Sequence, residues 1–524
     1  MSRGQAAPIT VKIPLGQLHS REEEQQILRC LAAKKLRMKP GEVFRLALRK
    51  KSLDARDKNN LLFIYQVEIN GKEEAPLRWP QRRPASQRPV VIGLGPAGLF
   101  AALALAEAGL QPVVIEKGLP LQERLGAVER FWQTGRLDCS SNIQFGQGGA
   151  GAFSDGKLTS RSKDPLARQV FRLLRQYGAE GEIEYWYRPH IGSDRLPAIV
   201  DGICRRIAGL GGSFYYQTAL TDMEIVRGRL RSLTLEKEGA SWQAAAENVI
   251  LAAGNGAWDL YRLAYRRGLA MEAKPFAVGL RLEHSQEKID RGRYGDFAGH
   301  PLLPAADYQL TYRNPADGRG VYTFCMCPGG HVVNASSAEA ALVTNGASQA
   351  ARDSGRANSA VVAAVAPGRD FGDGPLAGLE WQMALEKQAY QVSGSYALPS
   401  QSVEEFLAGQ PARKPLYGFQ PLSCGVAAAD LRRLLPGPLA GAIGDAITYW
   451  QRQIPDFHRQ GFLAAIETRT SAPVRLLRGE NRQSLSAEGL FPAGEGAGYA
   501  GGIISSAVDG LKSAYALMER IKTE

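Results

Sequence analysis

A glycine-rich turn between two apolar runs, near residue 93, constrains the fold of this chain more than any other feature. Val90, Val91 and Ile92 form a short apolar run that is typical of a buried parallel strand. The sequence Gly-Leu-Gly-Pro-Ala-Gly follows at residues 93–98, then an apolar helical pattern, a turn, and a second apolar run that ends at Glu116. This order of strand, glycine loop, helix, strand and acid predicts a dinucleotide-binding unit.

Each residue of this fingerprint has an expected role. Gly93 permits the tight turn, Gly95 lets backbone approach a pyrophosphate, and Gly98 lets the helix pack closely on the sheet. The N–H groups at the start of the helix face the phosphates. Glu116 is expected to accept hydrogen bonds from both ribose hydroxyls of an adenosine. The cofactor-binding residues predicted for this half are Gly93, Gly95, Pro96, Ala97, Gly98, Glu116 and Lys117.

Length and composition limit the class of protein. The 524 residues, 44% hydrophobic and 22% charged, predict a globular chain of two or three domains. We find neither an apolar run of membrane-spanning length nor the apolar core of a signal peptide. Six scattered cysteines do not form a disulfide framework, so a cytoplasmic protein is expected. The net charge of +12 is consistent with nucleic acid, an anionic membrane surface or polyanionic ligands, and equally with a general bias of the source.

Residues 1–77 are predicted to form a small basic α+β domain. Residues 9–13 alternate as in a strand, Ser20 is a helix N-cap, and residues 43–48 and 61–69 alternate again. Residues 34–58 contain ten Lys or Arg and three acids, which suggests an RNA-binding face or a solvated surface. No aromatic interleaving accompanies the charge, so the surface is favoured. Residues 78–89, rich in Pro and Arg, are predicted to be a linker.

A second glycine-rich stretch, residues 145–158, contains five glycines within eleven residues and is flanked by paired phenylalanines. A flexible linker would lack the aromatic residues, so we expect backbone that lies against a flat ligand. Polar contacts are expected from Ser154 and Asp155, and backbone contacts from Gly148 and Gly149.

Two later segments return to the nucleotide-binding unit. Residues 247–256 run from an apolar strand into Ala-Ala-Gly, which places Ala253 and Gly254 near the adenine half. At residues 490–502 a short strand ends in Gly494 and Glu495, and Gly501, Gly502 and Ile503 then begin an apolar helix. The positive end of that helix would stabilise negative charge on a reduced isoalloxazine. This return indicates FAD rather than NAD as the dinucleotide.

Residues 276–472 differ in sequence pattern from the nucleotide-binding part. They are predicted to form an inserted substrate domain on a mixed or antiparallel sheet. The nucleotide domain then comprises residues 90–275 and 473–524. Cys325 and Cys327 could form a redox pair or a metal site, but their spacing favours a strand end near the ligand, and no metal is expected. Arg469 could bind an anionic substrate group, or it pairs with Glu467 or another neighbour.

Segments spread along the whole chain resemble one family, the uncharacterised FAD-dependent dehydrogenases of bacteria and plastids within the glutathione-reductase-type flavoproteins. The segments are KKSLDARDK, GQGGAGAFSDGKL, KPFAVGLRLEH, FCMCPGGHVVNASS, ETRTSAPVRLLR and GEGAGYAGGIISSAVDG. The resemblance implies a Rossmann-like α/β FAD domain, an inserted substrate domain and a small N-terminal domain. Asn255 departs from the pattern, because histidine is expected there.

The expected function is that of an FAD-dependent oxidoreductase that passes a hydride through flavin N5. Only one dinucleotide fingerprint is present, so NAD(P)H is expected at most as a transient electron donor. The substrate is expected to be a small molecule, and Arg469 suggests that it is anionic. Two alternatives stay open: an RNA-binding flavoprotein that modifies nucleobases, and a flavin monooxygenase. Nucleic acid is the less favoured partner, no general base can be assigned, and the oligomeric state is undetermined.

Overall fold

The computed structural model describes residues 8–43, 45–70, 77–82, 87–159, 164–413, 416 and 418–523. The predicted N-terminal domain and linker therefore lie partly outside the described residues. The domain boundaries stay predictions.

The N-terminal unit is a three-stranded antiparallel sheet with one helix: β1 (Ile9–Pro14), α1 (Arg21–Lys35), β2 (Leu46–Asp54) and β3 (Leu62–Ile69). The strand order is β1-β3-β2. Ser20 caps α1 as predicted, since its hydroxyl accepts a hydrogen bond from the Glu23 N–H at 3.1 Å. The alternation predicted from the sequence ends at residue 48, but β2 continues to Asp54 because residues 50–54 pair with β3.

The remaining elements are numbered in chain order. Between residues 90 and 275 they are β4 (Val90–Ile92), α2 (Pro96–Glu107), β5 (Val113–Ile115), α3 (Leu121–Thr134), α4 (Pro165–Gln176), α5 (Leu196–Gly209), β6 (Ser213–Tyr215), β7 (Ala219–Val226), β8 (Arg229–Lys237), β9 (Ala240–Ala245), β10 (Val249–Leu251), α6 (Trp258–Arg266) and β11 (Met271–Ala273). From residue 276 to 467 they are β12 (Phe276–Ser285), α7 (Gln286–Tyr294), β13 (Thr311–Arg313), β14 (Gly320–Pro328), β15 (Gly330–Asn334), β16 (Thr344–Ser348), β17 (Arg356–Val365), α8 (Ala377–Ser393), β18 (Leu398–Ser402), α9 (Val403–Leu407), β19 (Val426–Ala428), α10 (Leu431–Leu434), α11 (Gly437–Trp450) and β20 (Phe462–Glu467). The last three are β21 (Val474–Leu476), β22 (Leu490–Pro492) and α12 (Ile503–Thr523).

A five-stranded parallel sheet of order β22-β10-β4-β5-β6 forms the nucleotide-binding part. One face is covered by α2, α5 and α12, which share an apolar core with Val91, Ile250 and Phe491. The antiparallel sheet β7-β8-β9 covers the other face. In this sheet β8 is the central strand and pairs with both β7 and β9.

The fingerprint helix and the last helix are close neighbours. A Cβ on Gly510 of α12 would lie 2.0 Å from the backbone oxygen of Ala97 in α2. Only glycine allows this approach, so the two ends of the nucleotide-binding part are locked together. The C-terminal return predicted from the sequence is thus present as the outer strand β22 and the helix α12.

A seven-stranded sheet of order β13-β14-β17-β12-β20-β18-β19 forms the second half of the molecule. Its pairs are antiparallel except β18 with β19, which confirms a mixed sheet. The same half contains two long helices, α8 with 17 residues and α11 with 14. The α/β class with a parallel nucleotide-binding sheet and an inserted mixed sheet is confirmed.

The N-terminal unit packs on this second half and shares its hydrophobic core. Phe63 and Tyr65 of β3 belong to the same buried cluster as Leu280 of β12 and Trp450 of α11. The backbone of Lys51 also exchanges hydrogen bonds with residues 185–187, with its N–H 2.7 Å from the Tyr185 oxygen. Within the described ranges, no helix combines the length and apolar character needed to cross a bilayer.

Candidate functional site

One cavity of about 1690 Å³ runs from the fingerprint to the seven-stranded sheet. Its walls include the loop after β4, the glycine-rich loop at 145–158, the start of α12 and the facing ends of β14 and β20. Pockets for a single small ligand usually measure roughly 300–1,000 Å³. The cavity therefore has room for a dinucleotide and a substrate together.

Two fingerprint glycines are packed tightly against backbone atoms, and the third has space on the cavity side. A Cβ on Gly93 would lie 2.4 Å from the Ala252 oxygen, and one on Gly98 would lie 1.9 Å from the Gly93 oxygen. A Cβ on Gly95 would meet only Gly149 Cα, at 3.8 Å. Gly95, Pro96 and Ala97 line the cavity, so the N-terminus of α2 is open to a ligand.

Glu116 follows β5, and backbone groups hold its buried carboxylate. One oxygen accepts from the Leu94 N–H at 2.8 Å, and the other accepts from the N–H groups of Gly118 and Gly146, both at 2.9 Å. A carboxylate has roughly four lone-pair sites. Three are in use, so the expected bonds to both ribose hydroxyls exceed the capacity that remains. We correct that expectation to about one ribose bond.

Arg124 of α3 organises this wall and was not predicted. Its guanidinium, 0% exposed, donates to the backbone oxygens of Asn142, Ile143, Gly146 and Gln147 at 2.7–3.3 Å. Burial lowers the pKa of Arg124 to about 9, although nearby Glu116 acts in the opposite direction. The one sequence signal was an arginine on the apolar face of an amphipathic helix.

The glycine-rich loop lies directly on the fingerprint. Gly149 lines the cavity with φ +59°, and a Cβ there would lie 2.7 Å from Gly95 Cα. Gly148 does not line the cavity; its N–H donates to the Leu94 oxygen at 2.9 Å. Ser154 lines the cavity, but its hydroxyl donates within the loop to the Gly151 oxygen at 2.8 Å.

Asp155, a predicted cofactor contact, lines the cavity, but its carboxylate is bound to other residues of the protein. Its carboxylate pairs with Arg352 at 2.6 Å and accepts a hydrogen bond from the Ser348 hydroxyl. Burial alone would raise the pKa of Asp155, yet Arg352 and Lys157 hold it below its usual value. Asp155 therefore fastens the glycine-rich loop to the second half of the molecule.

Most of the cofactor-binding residues predicted in the two later segments line the cavity. Ala253, Gly254, Glu495, Gly501, Gly502 and Ile503 line it, as does Lys117 from the first half. Gly494 lies behind them, and its N–H donates to Asp509 of α12 at 2.7 Å. Arg478 fixes Asp509 in turn, at 2.7 Å. Gly98, Gly148 and Gly494 thus shape the site without lining it.

Glu495 is the titratable group of this return. Burial raises its pKa to about 7, while Lys274 and a hydrogen bond with Asn255 act in the opposite direction. Asn255, at the position where the family pattern suggests histidine, therefore forms a hydrogen bond with Glu495.

The two cysteines of the substrate half do not form a reactive pair. A bulge in β14 gives Cys325 a φ of +48° and turns Cys327 inward. Cys325 lines the cavity, whereas Cys327 is 0% exposed and does not line it. Burial raises the pKa of the Cys327 thiol to about 11 despite Lys157 and Arg281 nearby. A protonated buried thiol is a poor nucleophile.

Arg469 lines the cavity but is not a free anion receptor. Its guanidinium makes a two-point pair with Glu386 of α8, at 2.9 and 2.7 Å, and donates to the Ser337 hydroxyl at 2.6 Å. It also lies 4.6 Å from the centre of the Trp258 ring. Of the two roles predicted for Arg469, anion binding and an ion pair, the structure supports the ion pair. Its partner is Glu386 rather than Glu467.

The chain's residues fit a bound FAD. At the fingerprint Gly95 faces open space, and a Cβ on Gly254, Gly501 or Gly502 would meet no described atom within 4 Å. Backbone can therefore approach a ligand at the pyrophosphate loop, at the Ala-Ala-Gly turn and at the start of α12. A fixed carboxylate, Glu116, stands at the adenosine end. These are the residues that would hold the cofactor.

Family models match three parts of the chain. The model of the FAD-dependent protein C-terminal domain matches residues 275–470, an FAD-binding domain matches residues 88–128, and a domain of unknown function matches residues 8–70. A protein of Clostridium beijerinckii, described as uncharacterised, is 40% identical over 522 residues, which cover 96% of this chain and 97% of the relative.

Solved structures show more distant similarity. A flavoprotein/dehydrogenase from Cytophaga hutchinsonii is 11% identical, with 84% of this chain and 79% of that chain covered and a TM-score of 0.37. A geranylgeranyl bacteriochlorophyll reductase-like protein from Thermoplasma acidophilum is 11% identical, with 83% and 79% covered and a TM-score of 0.35. The family assignment depends on the sequence matches. By those matches, the chain belongs to the family of FAD-dependent proteins that contain the FAD-dependent protein C-terminal domain.

Proposed function

We propose that this protein is a dehydrogenase or reductase that passes a hydride through flavin N5 between a small anionic metabolite and a second redox partner. When bound, FAD supplies two-electron hydride chemistry at N5. The observation that supports the proposal is the single cavity, whose wall joins the fingerprint loop to the seven-stranded sheet. A substrate on that sheet would share one enclosed space with the cofactor.

The protein's own contribution is binding, orientation and electrostatics. Backbone at residues 93–97 and the carboxylate of Glu116 would hold the adenosine and pyrophosphate. The first N–H groups of α12, at Gly502 and beyond, lack partners within the helix and carry its positive end. That end is suited to stabilise negative charge that develops on the reduced ring system. Aromatic and aliphatic lining such as Tyr322 and Val321 limits access of water.

The rim of the cavity supports an anionic substrate. Lys117, Arg262, Arg266 and Lys387 line it against two exposed acids, Asp259 and Glu339. Lys117 and Arg262 share Asp259 only loosely, at 3.9 and 4.0 Å. Excess positive charge at a cavity mouth raises the local concentration of anions. Because Arg469 is paired, these rim residues are better candidates for recognising the anion.

The remaining expectations concern nucleic acid, the electron donor and the cellular location. Two basic residues of the N-terminal unit form ion pairs within it, Lys51 with Glu24 and Arg49 with Glu68, both at 2.6 Å. These pairs favour a folded surface, and we observe nothing that favours RNA modification. NAD(P)H as a transient donor belongs to the proposal. All six cysteines are free, which supports a reducing, cytoplasmic location.

Anaerobic reduction of the bound flavin tests the proposal. Purified protein supplemented with FAD is mixed without oxygen with NADH, with NADPH and with a panel of anionic metabolites, and flavin absorbance is followed. We expect one nicotinamide and one metabolite class to bleach or reoxidise the flavin. Protein that binds no FAD after supplementation, or bound flavin that none of the compounds reduces or reoxidises, would contradict the proposal.

Charge substitutions on the rim test the substrate class. Lys387→Ala combined with Arg266→Ala is expected to raise KM for the active metabolite about tenfold, since each lost ionic contact is worth roughly 0.2–1 kcal/mol. Lys237→Ala, an exposed lysine of β8 away from the cavity, is the matched control. An unchanged KM in the double variant would argue against an anionic substrate.

A further inference from the structure

Glu467 places an unassigned carboxyl group in the wall of the cavity. It is the last residue of β20 and only 3% exposed, yet it lines the cavity on the side of the seven-stranded sheet. From the sequence, Glu467 was considered only as an ion-pair partner of Arg469. The structure gives Arg469 to Glu386, which leaves the role of Glu467 open.

The contacts of Glu467 are loose for a buried carboxylate. One oxygen lies 3.4 Å from Nη1 of Arg281, and the other accepts from the Thr344 hydroxyl at 3.3 Å. Charge-assisted bonds are normally about 2.7–2.9 Å. Arg281 makes its shorter bonds elsewhere, to the Cys325 oxygen at 2.7 Å and to the Asn358 side chain at 2.9 Å. These contacts fix the position of the Glu467 carboxyl group but stabilise its ionised form only weakly.

Two cations of the cavity wall also have partners of their own, a close one for Arg469 and a loose one for Lys157. Arg469 pairs with Glu386, and Lys157 lies 3.9 Å from Asp155. Burial accordingly raises the pKa of Glu467 to about 7, although Arg281 and the Thr344 bond act in the opposite direction. The titratable or charged groups facing this region from the packed elements are Arg281 of β12, Cys325 and Cys327 of β14, Arg469 after β20, Glu386 of α8 and Lys157 of the glycine-rich loop.

We propose that Glu467 is the general base of the reaction, and its general acid in reverse, for a substrate oxidised at a carbon that bears a hydroxyl or amino group. The O–H or N–H bond breaks, and its proton goes to a carboxylate oxygen of Glu467. The neighbouring C–H bond breaks, its electron pair leaves as hydride to the flavin as oxidant, and a C=O or C=N bond forms. This inference rests on the proposed function and names its substrate class: an anionic alcohol or amine.

A spectral titration of the bound cofactor tests the inference without a substrate. A carboxyl in the wall of the cavity that holds the flavin should perturb flavin absorbance when it ionises. We expect the oxidised holoprotein to show a one-proton change with a midpoint near the pKa of Glu467, about 7. Glu467→Gln should abolish the change. Infrared difference spectra across the same titration should lose one protonated carboxyl band in the variant.

Glu283 provides a matched control. It is a buried glutamate of β12 whose pKa burial also raises to about 7, but it pairs with Arg356 and does not line the cavity. Glu283→Gln should lose an infrared band and retain the flavin titration. Should Glu467→Gln fail to fold, Thr344→Val removes one donor to the carboxylate and should move the flavin midpoint upward by about one unit or less.

The outcomes separate this inference from the proposed function. With the active metabolite found by flavin bleaching, Glu467→Gln should lower kcat at least a hundredfold and remove the ionisation from the pH profile, whereas binding of FAD is unchanged. A flavin titration that persists in Glu467→Gln, or one that is absent in the wild-type holoprotein, overturns the role of Glu467. Protein that bleaches with a metabolite but shows full activity in Glu467→Gln overturns it too, with the proposed function intact.

Discussion

Arginines without solvent contact set the shape of both cavity walls. Arg124 gathers four backbone oxygens of the loop at 142–147, and Arg281 fixes the bulge at Cys325. A guanidinium offers five donors in a rigid fork, so one side chain can bind several oxygens that a loop cannot satisfy by itself. The orientation of Glu116, whose carboxylate accepts a hydrogen bond from the Gly146 N–H, therefore depends on a side chain that does not line the cavity.

Replacing Arg124 tests this dependence. Arg124→Met keeps most of the volume but leaves up to four oxygens without a donor, so we expect a loss of about 3–5 kcal/mol in the free energy of unfolding. FAD affinity should fall at least tenfold because Gly146 no longer orients Glu116. Urea unfolding of the apoprotein and FAD titration measure both effects. Arg130→Met, on the exposed side of the same helix, should change neither; equal effects of the two variants would refute the role.

Side-chain pairing is the part of the site that the sequence could not predict. Arg469 was recognised as important, but its partner Glu386 is 83 residues away on a helix whose packing no local pattern encodes. Glu467 was seen only as its neighbour in sequence, and its raised pKa comes from burial that depends on the whole sheet. The fingerprint glycines were predictable because their contacts lie within one strand–turn–helix unit.

The start of α12 is the element on which the flavin hypothesis depends most. Gly501 and Gly502 precede Ile503 at the cavity wall, and the Gly501 N–H donates to the Ser505 hydroxyl at 3.2 Å. Neither glycine has a left-handed backbone, so φ does not require glycine at either position. The reason for glycine here is space on the cavity side.

A methyl group at Gly502 should therefore separate folding from cofactor binding. Gly502→Ala is expected to leave the stability of the apoprotein within about 0.5 kcal/mol of wild type. Its FAD dissociation constant should rise at least tenfold, because the methyl group occupies space that the cofactor needs. Thermal unfolding without FAD and fluorescence titration with FAD measure the two quantities. Gly126→Ala, on the exposed side of α3, should bind FAD normally. Unimpaired binding by Gly502→Ala would place the cofactor elsewhere.

Elements with strong local signals were predicted well. The strands β4, β5, β10 and β22 and the helices α2 and α12 lie where the apolar runs and glycines indicated. The strand β9 was missed, since residues 240–245 are mostly exposed and carry little alternation. The end of β2 was missed because a run of lysines resembles a loop until its pairing with β3 is known.

Buried carboxyls give the whole molecule a pH response. Burial raises the pKa of Glu283, Glu467 and Glu495 to about 7, from 4.5. Between those values the native state binds more protons than the unfolded state, so these groups make stability fall as pH rises. Burial lowers the pKa of His190 to about 4 and of His284 to about 3, from 6.5. These histidines act with the opposite sign and partly cancel the effect below about pH 6.5.

A difference measurement isolates one carboxyl from this sum. Glu283→Gln removes a titrating group outside the cavity, so its stability relative to wild type should improve between about pH 4.5 and about pH 7 and level off above that. The gain is at most about 3 kcal/mol, from roughly 1.4 kcal/mol per pKa unit. Denaturant unfolding of both proteins at each pH measures it. A stability difference that is constant across this range would show that the Glu283 pKa is not raised.

The core shared by β3, β12 and α11 has a consequence for how the chain is made. The N-terminal unit is synthesised early, but Leu280 and Trp450, which belong to the same buried cluster as Phe63, follow it by more than two hundred and nearly four hundred residues. At roughly 5–20 residues per second, that face waits on the order of tens of seconds for its partner. The nascent protein is therefore expected to need a chaperone that recognises apolar surface before the flavin site can be assembled.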